Sequence, residues 1–436
     1  MSLTFVVSPG GHLTGRIRVP GDKSISHRSI MFGSIAEGTT RVKGFLEGED
    51  NLATLNAFRA MGVEIDGPLN GEVTIHGVGM HGLRAPTEPL YMGNSGTSIR
   101  LLSGLMSAQQ FDVEMTGDSS LSKRPMRRVT APLAEMGAEI LTEKDGTPPL
   151  KVQGGKSLNG LHYDMPMASA QVKSCLLLAG LYAEGETCVT EPAPTRDHTE
   201  RMLRGFGYDV RTENNRICLT GGGKLTATDI DVPADISSAT FFMIGAAISE
   251  GSDITLEHVG INPTRIGVIN ILRLMGAELT LENECEVGGE PVADIRVRGS
   301  KLKGIQIPEE QVPLAIDEFP ALFVAAACAE GETVLTGAHE LRVKESDRIQ
   351  VMADGLQALG VNAQPTDDGM IIQGGTIGSG TVESHDDHRI AMSFAMAALR
   401  ATGPITIKNC ETVGTSFPGF AALSRDAGLR VEQQGG

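Results

Sequence analysis

The sequence predicts an α/β protein of two similar halves, each made of three α/β units. Three observations carry this reading. A helix–turn–strand pattern recurs along the whole 436-residue chain. A second pattern, an amphipathic helix closed by glycine and followed by a strand, follows each copy of the first. The closing glycines stand at Gly62, Gly137, Gly207, Gly276, Gly360 and Gly428, separated by 75, 70, 69, 84 and 68 residues. A repeat of supersecondary size at near-constant spacing is the signature of a chain built from copies of one unit.

The first pattern is a short apolar helix, a glycine turn and an alternating strand. It occurs at Phe32–Gly44, Leu178–Pro192, Ile244–Val259, Val324–Ala338 and Met396–Cys410, with a weaker copy at Gly104–Gly117. The second pattern is clearest at Leu55–Ile65, Val129–Ile140 and Ile269–Leu279. Glycine after a helix takes the left-handed C-cap conformation at little steric cost. Alternation of apolar and polar residues after it fits a half-buried strand. Six units suggest three per domain, and Val232–Asp235, ahead of the fourth unit, is a plausible break.

Composition narrows the function classes. The length exceeds one ordinary core. The hydrophobic fraction of 40% is that of a globular protein. No run approaches the roughly 20 apolar residues of a membrane span, and the first residues lack a signal-peptide pattern, so a cytoplasmic protein without membrane partner is expected. The net charge of −17 argues against a nucleic-acid partner, yet leaves room for Arg and Lys gathered in one cleft for a small anion. The cysteines at 175, 188, 218, 285, 328 and 410 form no C-x-x-C pair. They read as reduced, mostly buried thiols rather than metal or redox ligands.

The cations gather in short motifs at the starts of helices. Val19–Arg28 passes from a strand into a helix, with Ser24 or Ser26 as candidate cap and Lys23, Ser24 and Arg28 at its mouth. Helix N-termini offer free N–H groups and favour anions. Gly93–Arg100 is a second glycine-rich turn into a helix, without the Gly-Lys-Ser/Thr of a nucleotide phosphate loop. Ser122–Arg128 packs four cations into seven residues, and Arg124, directly before Pro125, is held extended. In Arg342–Arg348, which opens a helix, Lys344 and Arg348 are four apart; such a like-charge pair on one face favours an anion between them. His385–Arg389 has two histidines three apart, but no Glu base in H-E-x-x-H spacing and no third ligand that the sequence names, so no metal is assigned and Arg389 is the anion candidate. Asp317 stands at the mouth of an apolar helix, where it is either a helix cap or a general base.

Together, PGDKSISHR, GNSGTSIR, KRPM, RVKESDR and DHRIAM, in this order over essentially the whole chain, resemble the enolpyruvyl transferase family, and within it the branch whose acceptor is shikimate 3-phosphate. The resemblance implies an inside-out α/β barrel fold: two domains of three βαβαββ-type units, residues 21–235 and residues 1–20 with 236–436, with the active site in the cleft between them. It implies transfer of the enolpyruvyl group of phosphoenolpyruvate to the 5-hydroxyl of shikimate 3-phosphate with release of phosphate, a step of aromatic amino acid biosynthesis. It further implies no cofactor, a monomer, and sensitivity to glyphosate. Shikimate 3-phosphate would be held by Lys23, Ser24, Arg28, Ser169, Ala170, Gln171, Arg196, Asp317 and Lys344. Phosphoenolpyruvate would be held by Lys23, Gly96, Arg124, Gln171, Arg348 and Arg389. Asp317 would be the base, with Glu345 and Lys23 as proton donors.

The sequence departs from the family pattern at four places. Thr415 stands where many members carry Lys, Asp22 and His27 where Ser and Asn are commoner, and Leu101 where Pro is common. The family's alternative acceptor, UDP-N-acetylglucosamine, goes with a reactive Cys near Lys123–Arg128, and no Cys lies before Cys175 here.

Overall fold

The computed structural model describes residues 2–435. The chain forms two compact units: one is residues 21–232, and the other joins the chain up to Pro20 to the chain from Pro233 onward. Twelve α-helices lie among the described residues. In the 21–232 unit they are α1 (Lys23–Ile35), α2 (Glu49–Ala60), α3 (Gly96–Met106), α4 (Arg127–Glu135), α5 (Ala170–Gly180) and α6 (His198–Gly205). In the other unit they are α7 (Ile236–Ile248), α8 (Gly267–Leu274), α9 (Phe319–Cys328), α10 (Arg348–Ala358), α11 (His388–Ala397) and α12 (Phe420–Ala427).

The helices alternate in character, as the two sequence patterns require. Every residue of α7 is buried, and α9 and α11 are nearly so; a helix apolar all round belongs inside a core. Helices α7, α9 and α11 pack on one another. In the other unit α3 packs on α5. The approach is close: a Cβ at Gly104 would lie 2.0 Å from the Cys175 carbonyl oxygen, so only glycine fits there. The second helix of each repeat keeps one face in solvent and ends at a closing glycine. All six closing glycines have positive φ, from 81° to 117°, as a left-handed C-cap requires.

Each unit carries three sheets of three to five strands. The strand after each of the first five closing glycines is the first arm of an antiparallel hairpin, for example Glu64–Leu69 with Glu72–Val78 and Glu139–Leu141 with Leu150–Gln153, whereas Val431–Gln434 after Gly428 pairs with Thr4–Val7. The hairpin's second arm pairs antiparallel with the strand that follows the central helix, as Glu72–Val78 does with Ala36–Lys43. Thr4–Val7 and Thr14–Ile17 complete sheets whose other strands lie beyond residue 250, which ties the N-terminus to the later half of the chain.

Two expectations about local structure are corrected. The cap of α1 is Asp22, whose carboxylate accepts from the Ile25 N–H at 2.9 Å, rather than Ser24 or Ser26; the Ser26 hydroxyl accepts from the Leu46 N–H instead. The cysteines are not all reduced: Cys188 and Cys218 form a disulfide, Cys285 is exposed, and only Cys175 and Cys410 are fully buried free thiols. The two bonded cysteines are 30 residues apart but face each other in register on neighbouring strands, a relation that chain spacing does not display.

Candidate active site

In the 21–232 unit Lys23, Ser24, Gly96, Ser169, Ala170 and Gln171 fall at the N-termini of the three central helices, while Arg28 lies one turn into α1 and Arg124 and Arg196 precede α4 and α6. Lys23 opens α1, Gly96 opens α3 and Ala170 opens α5. The caps are Asp22, Ser95 and Ser169, each accepting from a backbone N–H of the first turn. The positive ends of three helix dipoles therefore carry Lys23, Ser24, Gly96, Ala170 and Gln171, five of the residues named for anion binding.

Gly96, Arg124 and Gln171 come from three motifs and meet at one place. Arg124 donates through Nη2 to Asn94 Oδ1 at 2.8 Å, and Asn94 donates to Asp118 at 2.8 Å. Arg124 is extended, with φ −82° and ψ 132°, as its place before proline predicts. A Cβ at Gly96 would stand 3.1 Å from Arg124 Nη1 and 3.0 Å from Arg100 Nη1. Arg100 donates to Gln171 Oε1 at 2.6 Å, and Gln171 Nε2 donates to Thr97 Oγ1 at 3.1 Å. Arg100 was not picked out from the sequence. Its place four residues after Gly96, one helical turn along the same face, is the signal that points to it.

Lys23 and Arg28 are braced by protein groups. Lys23 Nζ lies 2.5 Å from Asp50 Oδ2, and the Lys23 carbonyl accepts from Asn51 at 3.0 Å. Arg28 is buried and donates to Thr199 Oγ1, the Ser24 carbonyl and Ser174 Oγ at 2.7, 2.9 and 2.9 Å, tying α1 to α5 and α6. His27 is fully buried and bonded through Nδ1 to Thr54 at 2.8 Å. Burial, with help from the charges of Lys23 and Arg28, pushes its pKa well below the usual histidine value, so it is neutral. Thr54 continues to Ser98, and Ser98 to Ser95, each at 2.7 Å. This run of hydroxyls joins the starts of α1 and α3.

Below Gln171 sits a buried ion cluster that the sequence reading did not find. Lys173 Nζ lies 2.7 Å from Glu200 Oε1 and 3.0 Å from Glu191 Oε1, with the lysine side chain 1% exposed. Glu191 also accepts from the Thr195 hydroxyl, next to Arg196. Burial raises the Glu191 pKa, and the Lys173 charge only partly offsets it. The cluster anchors the loop that carries Arg196 to the helix that carries Gln171.

The later unit holds the other predicted residues. Asp317 lies in a 3-10 turn, Ile316–Glu318, that runs into α9. It does not cap that helix, whose N-cap residue is Glu318. Its Oδ1 is 3.5 Å from Lys344 Nζ and 3.3 Å from Arg348 Nη1. Lys344 and Arg348 are not on one helix as expected: α10 begins at Arg348, and Lys344 ends the preceding 3-10 turn, His339–Val343. They meet instead by reaching the same carboxylate.

Arg348 is the centre of this group. It is 1% exposed and donates from Nη2 to Glu345 Oε2 at 2.7 Å and from Nε to Asp387 Oδ2 at 2.9 Å. Burial alone would lower its pKa, but the carboxylates of Asp387, Glu345 and Asp317 raise it above the ordinary arginine value. Asp387, fully buried, is depressed despite its burial because Arg348 lies beside it. Asp387 also caps α11 through the Arg389 N–H at 3.0 Å and accepts from Ser346 at 2.9 Å. It thus joins the RVKESDR and DHRIAM segments, a link that two distant motifs do not reveal. Arg389, at the second position of α11, is partly exposed and makes no side-chain hydrogen bond or ion pair among the described residues. Thr415 spends its hydroxyl on the Thr412 carbonyl at 2.7 Å and supplies no charge.

Comparison with known proteins finds relatives along the full length of the chain. Residues 7–423 match the model of the family described as EPSP synthase (3-phosphoshikimate 1-carboxyvinyltransferase). The chain is 68% identical over 430 residues to the 3-phosphoshikimate 1-carboxyvinyltransferase of Nitrosococcus oceani, covering 99% of this chain and 97% of the relative. The namesake protein of Methylococcus capsulatus is equally similar, with 99% and 98% covered. A solved EPSP synthase from Acinetobacter baumannii superposes with a TM-score of 0.91 at 67% identity over all of both chains. No helix among the described residues is long and apolar enough to cross a membrane. With its six repeats, its two sets of cationic helix starts and its full-length match, the chain belongs to the EPSP synthase family.

Proposed function

We propose that this protein transfers the enolpyruvyl group of phosphoenolpyruvate to the 5-hydroxyl of shikimate 3-phosphate, giving 5-enolpyruvylshikimate 3-phosphate and phosphate. The observation that carries the chemistry is the Asp317–Arg348–Glu345 arrangement. Two carboxyl groups share one buried guanidinium, at 3.3 and 2.7 Å, so the proposed base and proton donor are held in fixed relation. Asp317 takes the proton of the attacking hydroxyl, and Glu345 or Lys23 delivers a proton to C3 of the donor. The hydroxyl oxygen bonds to C2, and a tetrahedral adduct results. Loss of a C3 proton and of phosphate then restores the double bond.

The binding residues divide by substrate. Arg124, Arg348, Arg389, Lys23, Gln171 and the opening at Gly96 take the carboxylate and phosphate of the donor, for which planar guanidinium forks are suited. Lys23, Ser24, Arg28, Ser169, Ala170, Gln171, Arg196, Asp317 and Lys344 take the acceptor. The same arginines stabilise the charge on departing phosphate. The reaction needs no metal or organic cofactor, and the protein works as a cytoplasmic monomer. Following phosphorus and proton resonances of a reaction mixture tests the reading: one equivalent of inorganic phosphate should appear with one equivalent of an enol ether on the acceptor. Phosphate without the ether would mean hydrolysis and would overturn it.

A further inference from the structure

The Cys188–Cys218 disulfide lies far in character from the binding residues, on the polar face of a four-stranded sheet. Register puts His162, Cys188, Cys218 and Arg211 in one row across neighbouring strands. Directly opposed residues in a sheet project to the same face, so these four stand side by side. Glu186 and Arg216, two residues along their strands, share that face. The alternate residues Val189, Ile217 and Leu219 are buried on the other side. The bond therefore sits outside the core, among charged groups.

The two sulfurs differ in access. Cys188 is 1% exposed, while Cys218 is partly exposed and lines a cavity of about 200 Å³ with Glu186, Arg211, Glu213 and Arg216. Behind it, Cys188 Sγ lies 3.3 Å from Glu186 Oε2, and His162 Nε2 is 3.6 Å from that same oxygen. Arg216 lies 2.8 Å from His162 Nδ1. Arginine can only donate, so the neutral ring carries its proton on Nε2, facing Glu186. Arg211 pairs with the other oxygen of Glu186.

The geometry points to Cys218 as a thiol-exchange site for an anionic low-molecular-weight thiol. The incoming thiolate enters the cavity past Arg211 and Arg216 and bonds to Cys218 Sγ. The S–S bond breaks and its electron pair leaves on Cys188 Sγ. That sulfur takes a proton from water by way of the His162–Glu186 pair, and the resulting thiol donates to Glu186. The incoming thiol is oxidised to the disulfide level while Cys188 is reduced, so the exchange balances without another oxidant. Disulfides in cytoplasmic proteins are characteristically transient ones, and exchange is governed by which sulfur can be reached and by the leaving thiol. A bond with one open sulfur and a proton source behind the other meets both conditions.

The test uses the full chain with exposed Cys285 replaced by Ser, purified in air, treated with reduced glutathione and quenched with an alkylating reagent. Intact mass and peptide mapping should find one glutathionyl group on Cys218 and one alkyl group on Cys188. Replacing Arg211 and Arg216 together by Gln should slow the glutathione reaction roughly tenfold while leaving the rate with neutral 2-mercaptoethanol unchanged. In a Cys188→Ser variant, oxidised glutathione should load Cys218. An adduct on Cys188, free thiols at both positions in untreated protein, or reaction only after denaturation would overturn the assignment. None of these readouts depends on transferase activity.

Discussion

Replacing Gly96 by Ala separates binding from folding in this protein. The added methyl would stand 3.0 Å from Arg100 Nη1 and 3.1 Å from Arg124 Nη1, closer than carbon and nitrogen rest comfortably. Both atoms end long, flexible side chains, so each guanidinium can yield by a few tenths of an ångström without moving backbone. Alanine also favours the first turn of α3 by up to about 1 kcal/mol over glycine. Thermal stability should therefore change little. Of the displaced groups, however, Arg124 is proposed to meet phosphoenolpyruvate, and Arg100 holds Gln171, another donor residue, at 2.6 Å. Loss of one charge-assisted hydrogen bond is worth about 1.5–3 kcal/mol, which corresponds to a KM for phosphoenolpyruvate raised roughly 10- to 150-fold. The assay is initial-rate phosphate release with phosphoenolpyruvate varied at saturating shikimate 3-phosphate, beside a melting curve. An unchanged donor KM, or an equal rise in the acceptor KM, would refute the placement of the donor at Gly96.

Other consequences can be checked independently. Asp317→Asn should lower kcat by about 10²-fold or more while calorimetry still finds shikimate 3-phosphate bound; an unchanged kcat would remove Asp317 from the base role. Lys173→Met leaves Glu191 and Glu200 buried without their cation and should cost about 3–5 kcal/mol in denaturant unfolding, whereas a variant that also carries Gln at 191 and 200 should recover much of it. His27 has a depressed pKa when folded, so its contribution to stability is present above the unfolded value of about 6.5 and is lost as pH falls below it, by up to about 1.4 kcal/mol per pH unit. Melting curves from pH 7.5 to 5 should show this slope, and His27→Asn should flatten it. Glyphosate should inhibit in competition with phosphoenolpyruvate, since Gly96 leaves room beside the donor; an inhibition constant far above the donor KM would count against this.

The fold was legible wherever one residue type has one physical use. The six closing glycines have the positive φ that a left-handed C-cap demands, and the apolar first helices form the centres of their units. The motifs were legible as helix starts because small residues and caps precede them. What stayed hidden were partnerships between distant segments. Asp387 looked like one acid in a charged run, yet it is the buried counter-ion of Arg348. Lys173 looked like a helix lysine and is the centre of an ion cluster. Arg100 was written inside a motif but gained meaning only when Gln171 was brought beside it. The Asp22 cap was missed because two serines nearby were equally good capping residues. The disulfide depends on strand register, which chain spacing does not encode.

The central claim is the choice of donor and acceptor, and it is tested by phosphate release from phosphoenolpyruvate with shikimate 3-phosphate or UDP-N-acetylglucosamine supplied in parallel. The account predicts release with shikimate 3-phosphate alone. Release with the sugar nucleotide alone would keep the donor site and overturn the acceptor, and silence with both in folded protein would contradict the proposed reaction.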